Sequence, residues 1–304
     1  MGSNSTRLGN GKQIGLLDLF CRVVTGVFLV PFASFAEEGF HSSKDGLPPA
    51  VQAAWDSTLL IEPVAGKGAV GSAFIVRIEP AGAMKLDLYV LTADHVVQGN
   101  CGTKLGFCKN IEISDGGIDL ETSTDIDVTQ PTARASGAEV VRSSEYPDLA
   151  LLKFVVDDGP LWDRQPLPLA TPCAYARGDV VYVIGFPDAA SRTYKYAKAI
   201  EDKGTVKRRW SMGRILGIYH YKKPGKETRF WIGTTADGLV GESGGPGLNA
   251  WGEVVGELDS AGKENRNAAY LGNESLGTPH SMLQRCEYLN DFINLRPLRY
   301  HPLE

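Results

Sequence analysis

The chain has 304 residues, 43% of them hydrophobic, and a formal net charge of −5. That is enough to bury one or two ordinary cores, and it offers no overall basic field to gather nucleic acid. Thirty-five glycines and seventeen prolines suit many short strands joined by turns and argue against a helical bundle.

Residues 1–36 read as an export signal. Arg7, Lys12 and Arg22 outnumber Asp18, Val23 to Phe32 form an apolar run, and Ala33-Ser34-Phe35-Ala36 ends in small residues, which predicts cleavage after Ala36. The run falls short of the roughly 20 apolar residues that span a bilayer, so no stable membrane insertion is expected once the signal is removed. A short segment, 37–56, follows.

Strand-like runs then recur at Thr58 to Ile61, Val70 to Ile78, Leu86 to Thr92, Ile111 to Ser114, Ala138 to Arg142 and Leu149 to Phe154. The third leads into Thr92-Ala93-Asp94-His95-Val96-Val97, with a histidine at the strand end, and Asp148 opens the sixth. Between them Asp115 to Gly137 is polar and longer than an ordinary hairpin loop, a length expected of a functional or mobile segment, and its place between the histidine and the aspartate predicts that it rims a cleft. A proline-bearing connector, Asp157 to Pro166, divides this set from a second: Val180 to Ile184, Gly204 to Val206, Arg214 to Tyr219, Phe230 to Thr234, Val254 to Leu258 and Ala268 to Leu271. The pattern predicts two similar β-barrels, 57–165 and 166–304. Lysines and arginines cluster between Arg192 and Lys226 with Tyr194, Tyr196, Trp210 and Tyr219 interleaved. This is the pattern of an anionic-polymer patch, but solvated hairpin faces are the expected reading, with no nucleic-acid partner. At the end, Leu283, Cys286, Leu289, Phe292 and Ile293 fall at helical spacing, and Ser281 with Gln284 resembles a capping box, which predicts a helix over 281–294.

Loss of the signal removes Cys21 and leaves Cys101, Cys108, Cys173 and Cys286. An even count in an exported chain suggests disulfides, against the alternative of four free thiols in a cytosolic protein. Cys101 and Cys108 bracket a short loop and pair naturally, leaving Cys173 for Cys286. The spacing is not that of a zinc site.

Gly241-Glu242-Ser243-Gly244-Gly245-Pro246 shapes a backbone for a nucleophile. A serine hydroxyl needs a base to take its proton and a third group to orient that base; His95 and Asp148 are the candidates, in the chain order His, Asp, Ser. Taken singly, each has a plainer reading as a structural residue. A nucleophile elbow of an α/β-hydrolase is the other reading of the serine, but the elbow must lead into a helix, which Gly244-Gly245-Pro246-Gly247 opposes.

The boxes Gly71-Ser72-Ala73-Phe74-Ile75-Val76, Thr92 to Val97, Asp148 to Lys153, Gly178 to Pro187, Gly241 to Pro246 and Val254 to Leu258 resemble, in order, those of the trypsin-like serine peptidases. The likeness is greater to bacterial secreted and HtrA-type domains than to the digestive enzymes, and no peptide-binding PDZ domain follows. It implies an all-β fold of two six-stranded antiparallel barrels with a C-terminal α-helix. It also implies peptide-bond hydrolysis by His95, Asp148 and Ser243 at the barrel interface, through an acyl-enzyme and without a cofactor. The amides of Gly241 and Ser243 would form the oxyanion hole. Asp237, six residues before the serine, stands where the trypsin subgroup keeps its specificity aspartate; with Asp259 adding to the field, it would favour Arg or Lys before the scissile bond. The family pattern departs at Asp94, where a small residue is usual, and at Glu242, where zymogen-activated members keep an aspartate; no Ile-Val-Gly-Gly start follows Ala36. A catalytically silent binding module of the same fold, and an esterase using the same three residues, are the alternatives.

Overall fold

The computed structural model describes residues 41–64, 69–102, 105–115, 133–187, 208–222, 228–261, 269–270 and 279–298. The expected export signal, most of the polar stretch before Gly137, the expected strand at Gly204 and most of the basic stretch lie outside the described residues.

A 3-10 turn at Lys44–Gly46 leads into α1 (Pro49–Ser57), a helix with no counterpart among the expected elements. Proline suits its first helical position, where an amide would find no partner inside the helix, and Val51 and Ala54 face inward. Six strands follow: β1 (Thr58–Glu62), β2 (Gly71–Pro80), β3 (Lys85–Thr92), β4 (Gly106–Ser114), β5 (Arg134–Glu145) and β6 (Asp148–Asp157), with α2 (Asp94–Cys101) between β3 and β4. They close into a barrel in the order β1-β2-β3-β6-β5-β4, all neighbours antiparallel.

The second set comprises β7 (Val180–Gly185), β8 (Arg209–Lys222), β9 (Thr228–Thr234), β10 (Pro246–Leu248), β11 (Val254–Ala261), β12 (Ala269–Tyr270) and β13 (Ser281–Arg285). Their order is β12-β8-β7-β10-β11-β13-β9, and the pairing of β8 with β9 closes six of them into a second antiparallel ring, with the two-residue β12 attached to β8. α3 (Cys286–Ile293) ends the fold. The expected helix over 281–294 is therefore shorter at its start: Ser281–Arg285 form β13, paired with β11 and β9. All five residues of β13 are buried, so tertiary pairing on both sides overrides the helical spacing of their apolar positions. The hydroxyl of Ser281 bonds Thr234 at 2.7 Å and caps no helix.

Strand alternation sorts the apolar side chains between three cores. Ala73, Ile75, Leu88, Val90, Ala150, Leu152 and Phe154 fill the first barrel. Val181, Val183, Ile215, Ile232, Val255 and Leu283 fill the second. The alternate residues Phe74, Leu91, Leu149 and Leu151 turn outward and meet Tyr182, Ile184, Leu248 and Val254 from the second barrel and Leu289 and Phe292 from α3. That shared seam aligns one barrel on the other. Both disulfides, Cys101–Cys108 and Cys173–Cys286, are present. Among the described residues no helix is long and apolar enough to cross a membrane.

Candidate active site

β3 ends at Thr92, and the chain turns through Ala93 into α2, so His95 falls in the first helical turn. Asp148 opens β6, which lies beside β3 with Thr92 opposite Ala150. This register lets one carboxylate hold both ends of the histidine: Oδ1 of Asp148 accepts from the His95 amide at 2.9 Å, and Oδ2 meets the ring Nδ1 at 2.6 Å. An ionised carboxylate only accepts, so Nδ1 carries the proton and Nε2 keeps its lone pair. Burial works to raise the Asp148 pKa, but the bond from the His95 ring, its charge and a bond from Asp259 outweigh it and hold the group below the ordinary carboxylate value. Asp94, which departs from the family pattern, is buried and accepts from the hydroxyl of Ser143 on β5.

Ser243 lies in the turn before β10, on the second barrel, and that turn is pressed against the first. The Ser243 carbonyl accepts from the Ser72 amide at 2.8 Å. A Cβ on Gly71 would sit 3.0 Å from that carbonyl and 2.6 Å from a methyl of Val96, the residue after His95. The loop bearing the serine thus lies against the turn bearing the histidine. Gly244 adopts a φ of +92°, and a Cβ there would stand 2.0 Å from the Ser72 carbonyl and 2.4 Å from the Thr92 hydroxyl. No side chain fits, which is the physical reason for glycine after the serine.

The amides of the loop divide into two groups. Those of Glu242, Gly244 and Gly245 donate to the carbonyls of Leu239, Leu258 and Glu242. Those of Gly241 and Ser243 donate to no group among the described residues, which leaves a pair of donors for a developing oxyanion. The Ser243 hydroxyl donates a long bond, 3.4 Å, to the carbonyl of Asp259.

The two carboxylates expected to favour a basic side chain have different partners. Asp237 is partly exposed and its Oδ1 lies 3.0 Å from Nδ1 of His280. Asp259 is buried, and its Oδ2 accepts from the indole of Trp231 and from Gln284 at 3.0 Å. One of its oxygens lies within 4.8 Å of an oxygen of Asp148 and a ring nitrogen of His95.

Ser72 was not singled out from sequence, although its box was. Its hydroxyl donates to the Gly241 carbonyl at 2.9 Å and accepts from the Phe186 amide at 3.0 Å, while Thr92 donates to the Ser72 carbonyl at 2.7 Å. A serine inside an apolar strand was the available signal, since such a hydroxyl must find partners.

With this geometry in place the comparisons are specific. A family model for a trypsin-like peptidase domain matches residues 71–256. The chain belongs to that family, and its class is that of a serine-type endopeptidase. Among solved structures, the active form of the Rv3671c protease from M. tuberculosis aligns at 19% identity over 84% of this chain and 87% of that one, with a TM-score of 0.51. An inactive form of Rv3671c aligns at 18% identity over 84% and 94%, with a TM-score of 0.50. At these identities the likeness is one of fold. No curated protein matches the chain in sequence.

Proposed function

We propose that the chain is an exported serine endopeptidase in which Ser243 attacks the peptide carbonyl, His95 takes its proton and Asp148 orients the imidazole. The observation that carries this reading is the two-point grip of Asp148 on His95, at 2.9 Å to the amide and 2.6 Å to the ring, because it fixes the proton on Nδ1 and makes Nε2 the ring nitrogen with the lone pair that a base needs. The proton moves from Oγ to Nε2 as the C–O bond forms, and from Nε2 to the leaving amine as the C–N bond breaks. Water then repeats the sequence on the acyl-enzyme. The uncommitted amides of Gly241 and Ser243 support their assignment to the oxyanion, where loss of one such donor costs about 3 kcal/mol of transition-state stabilisation.

Asp237 supports a preference for Arg or Lys at P1, as the carboxylate nearest in sequence to the nucleophile loop that keeps some exposure. Two disulfides support an oxidising destination. The substrate is a protein or peptide chain.

Treatment with a fluorophosphonate probe, mapped by mass spectrometry, tests the assignment. Label is expected on Ser243 and is lost in Ser243→Ala and His95→Ala; well-folded protein that takes no label refutes the triad. The same spectra read an N-terminus at Glu37 if the signal is removed. In a mixed peptide panel, cleavage that spares Arg and Lys sites refutes the P1 reading.

A further inference from the structure

Behind the His95–Asp148 pair lies a carboxyl that the reaction above does not use. One oxygen of Asp259, one of Asp148 and a ring nitrogen of His95 all lie within 4.8 Å of one another. Asp259 stands where the β11–β13 register shifts between Leu258 and Ser260, so it is the extra residue of a β-bulge, a device that re-aims a side chain. The bulge turns it into the seam, where it is 7% exposed. Trp231 of β9 and Gln284 of β13 both donate to Oδ2, and the carboxyl faces that of Asp148.

Two buried carboxylates this close repel if both are ionised, and neither then has a donor for the other, so one of the pair holds a proton. Asp148 faces the two N–H donors of His95 and the charge that the imidazole acquires during catalysis. Asp259 faces neutral donors from β9 and β13, the carboxylate of Asp148 on β6 and the His95 ring on α2; on β11 itself lies Glu257, fully buried and acidic. The proton therefore belongs on Asp259.

Resting on the triad assigned above, we infer that Asp259 is a positioning residue: as a neutral carboxylic acid it donates a hydrogen bond to Asp148 and holds that carboxylate against His95. Burial, and then the charge of Asp148, push the Asp259 pKa up to about 8, so the donor is in place at neutral pH. Ionisation removes the donor and sets a second anion beside Asp148. That anion favours the imidazolium and opposes His95 as a base.

The test compares kcat and KM of wild type, Asp259→Asn and Asp259→Leu between about pH 6 and pH 10. The Asn amide still donates to Asp148, its carbonyl still accepts from Trp231 and Gln284, and it cannot ionise. Wild-type kcat is expected to fall through an inflection near pH 8, and the Asn variant to lack that fall. The Leu variant is expected to lose kcat by roughly tenfold or more at neutral pH with little change in KM, as for a mispositioned group, and Asn to recover most of that loss. A parallel NMR titration of the His95 ring reads the same coupling without turnover, with a second inflection in wild type that is absent from Asp259→Asn. If the Leu variant does not fold, the Asn profile and titration decide alone.

The same alkaline midpoint in wild type and Asn, or wild-type kcat in Leu, overturns the proposal. Fluorophosphonate labelling separates it from the reading beneath it. Labelled Ser243 with identical His95 titrations in wild type and Asn keeps the triad and removes Asp259. Unlabelled protein whose His95 titration responds to Asn keeps the bond to Asp148 and removes the triad.

Discussion

A single hydroxyl, that of Ser72, ties the nucleophile loop to both barrels. It is buried, and it spends its donor on Gly241 and an acceptor site on Phe186. In Ser72→Ala both partners remain buried without it, which costs about 1–3 kcal/mol for each polar group left unsatisfied, and the Gly241 peptide loses the bond that fixes its orientation. The expected outcome is a fall in kcat larger than the change in KM, together with a lower urea midpoint; wild-type kcat would show that the loop holds its shape alone. His95, Asp148 and Ser243 were legible because each sits in a distinctive setting: a histidine closing an apolar strand, an aspartate opening one, a serine among glycines. Ser72 and Asp259 were not. Ser72 looks like an ordinary strand residue, and Asp259 owes its direction to a bulge whose register depends on β13, a partner strand that the sequence presented as helix.

Among the elements, α3 and the strand faces it covers determine how the barrels meet. Leu289 and Phe292 enter the seam beside Leu149 and Leu151, the residues that follow Asp148 on β6. Arg142 of β5 holds the end of the helix, with its guanidinium 4.6 Å from the Phe292 ring centre and bonded to the carbonyls of Asp291 and Phe292 at 3.1 and 3.0 Å. Phe292→Ala is expected to destabilise the fold by about 3–5 kcal/mol, read as a shift in the urea midpoint; a loss near zero would mean that the helix does not help to bind the barrels together. Most strands were legible from alternation and turn residues. The three-residue β10 was not, being too short for any period and hidden in a Gly-Gly-Pro run. β13 was not either, because a strand buried on both faces loses the alternation that marks strands and leaves only apolar spacing, which a helix fits as well. α1 gave its proline start but too weak an apolar stripe to stand out.

For the molecule as a whole, buried acids make stability depend on pH in an unusual direction. Burial first, and then the neighbouring acids Asp259 and Asp148, hold the Glu257 pKa well above its ordinary value. The folded protein thus keeps a proton that the unfolded chain releases once pH passes the ordinary glutamate value, and folding takes up a proton above that point. Stability from this group is present at lower pH and declines as pH rises toward the folded pKa, by up to about 1.4 kcal/mol per pH unit. Asp148 acts in the opposite sense: its lowered pKa gives stability that is lost only as pH falls below the ordinary carboxylate value. Urea midpoints measured between about pH 5 and pH 8 should decline with rising pH, and Glu257→Gln should flatten that slope by as much as one proton's worth; an unchanged slope would show that Glu257 is ionised in the fold. The bond between Cys173 and Cys286 has a different consequence. Cys173 precedes the first strand of the second barrel and Cys286 follows its last, so the chain between them is a closed covalent loop that carries Ser243 and excludes His95 and Asp148. A peptidase is exposed to copies of itself, and one backbone cut inside that loop opens it to a line without releasing a fragment, so the nucleophile stays joined to its base and orienter through an intact chain of covalent bonds.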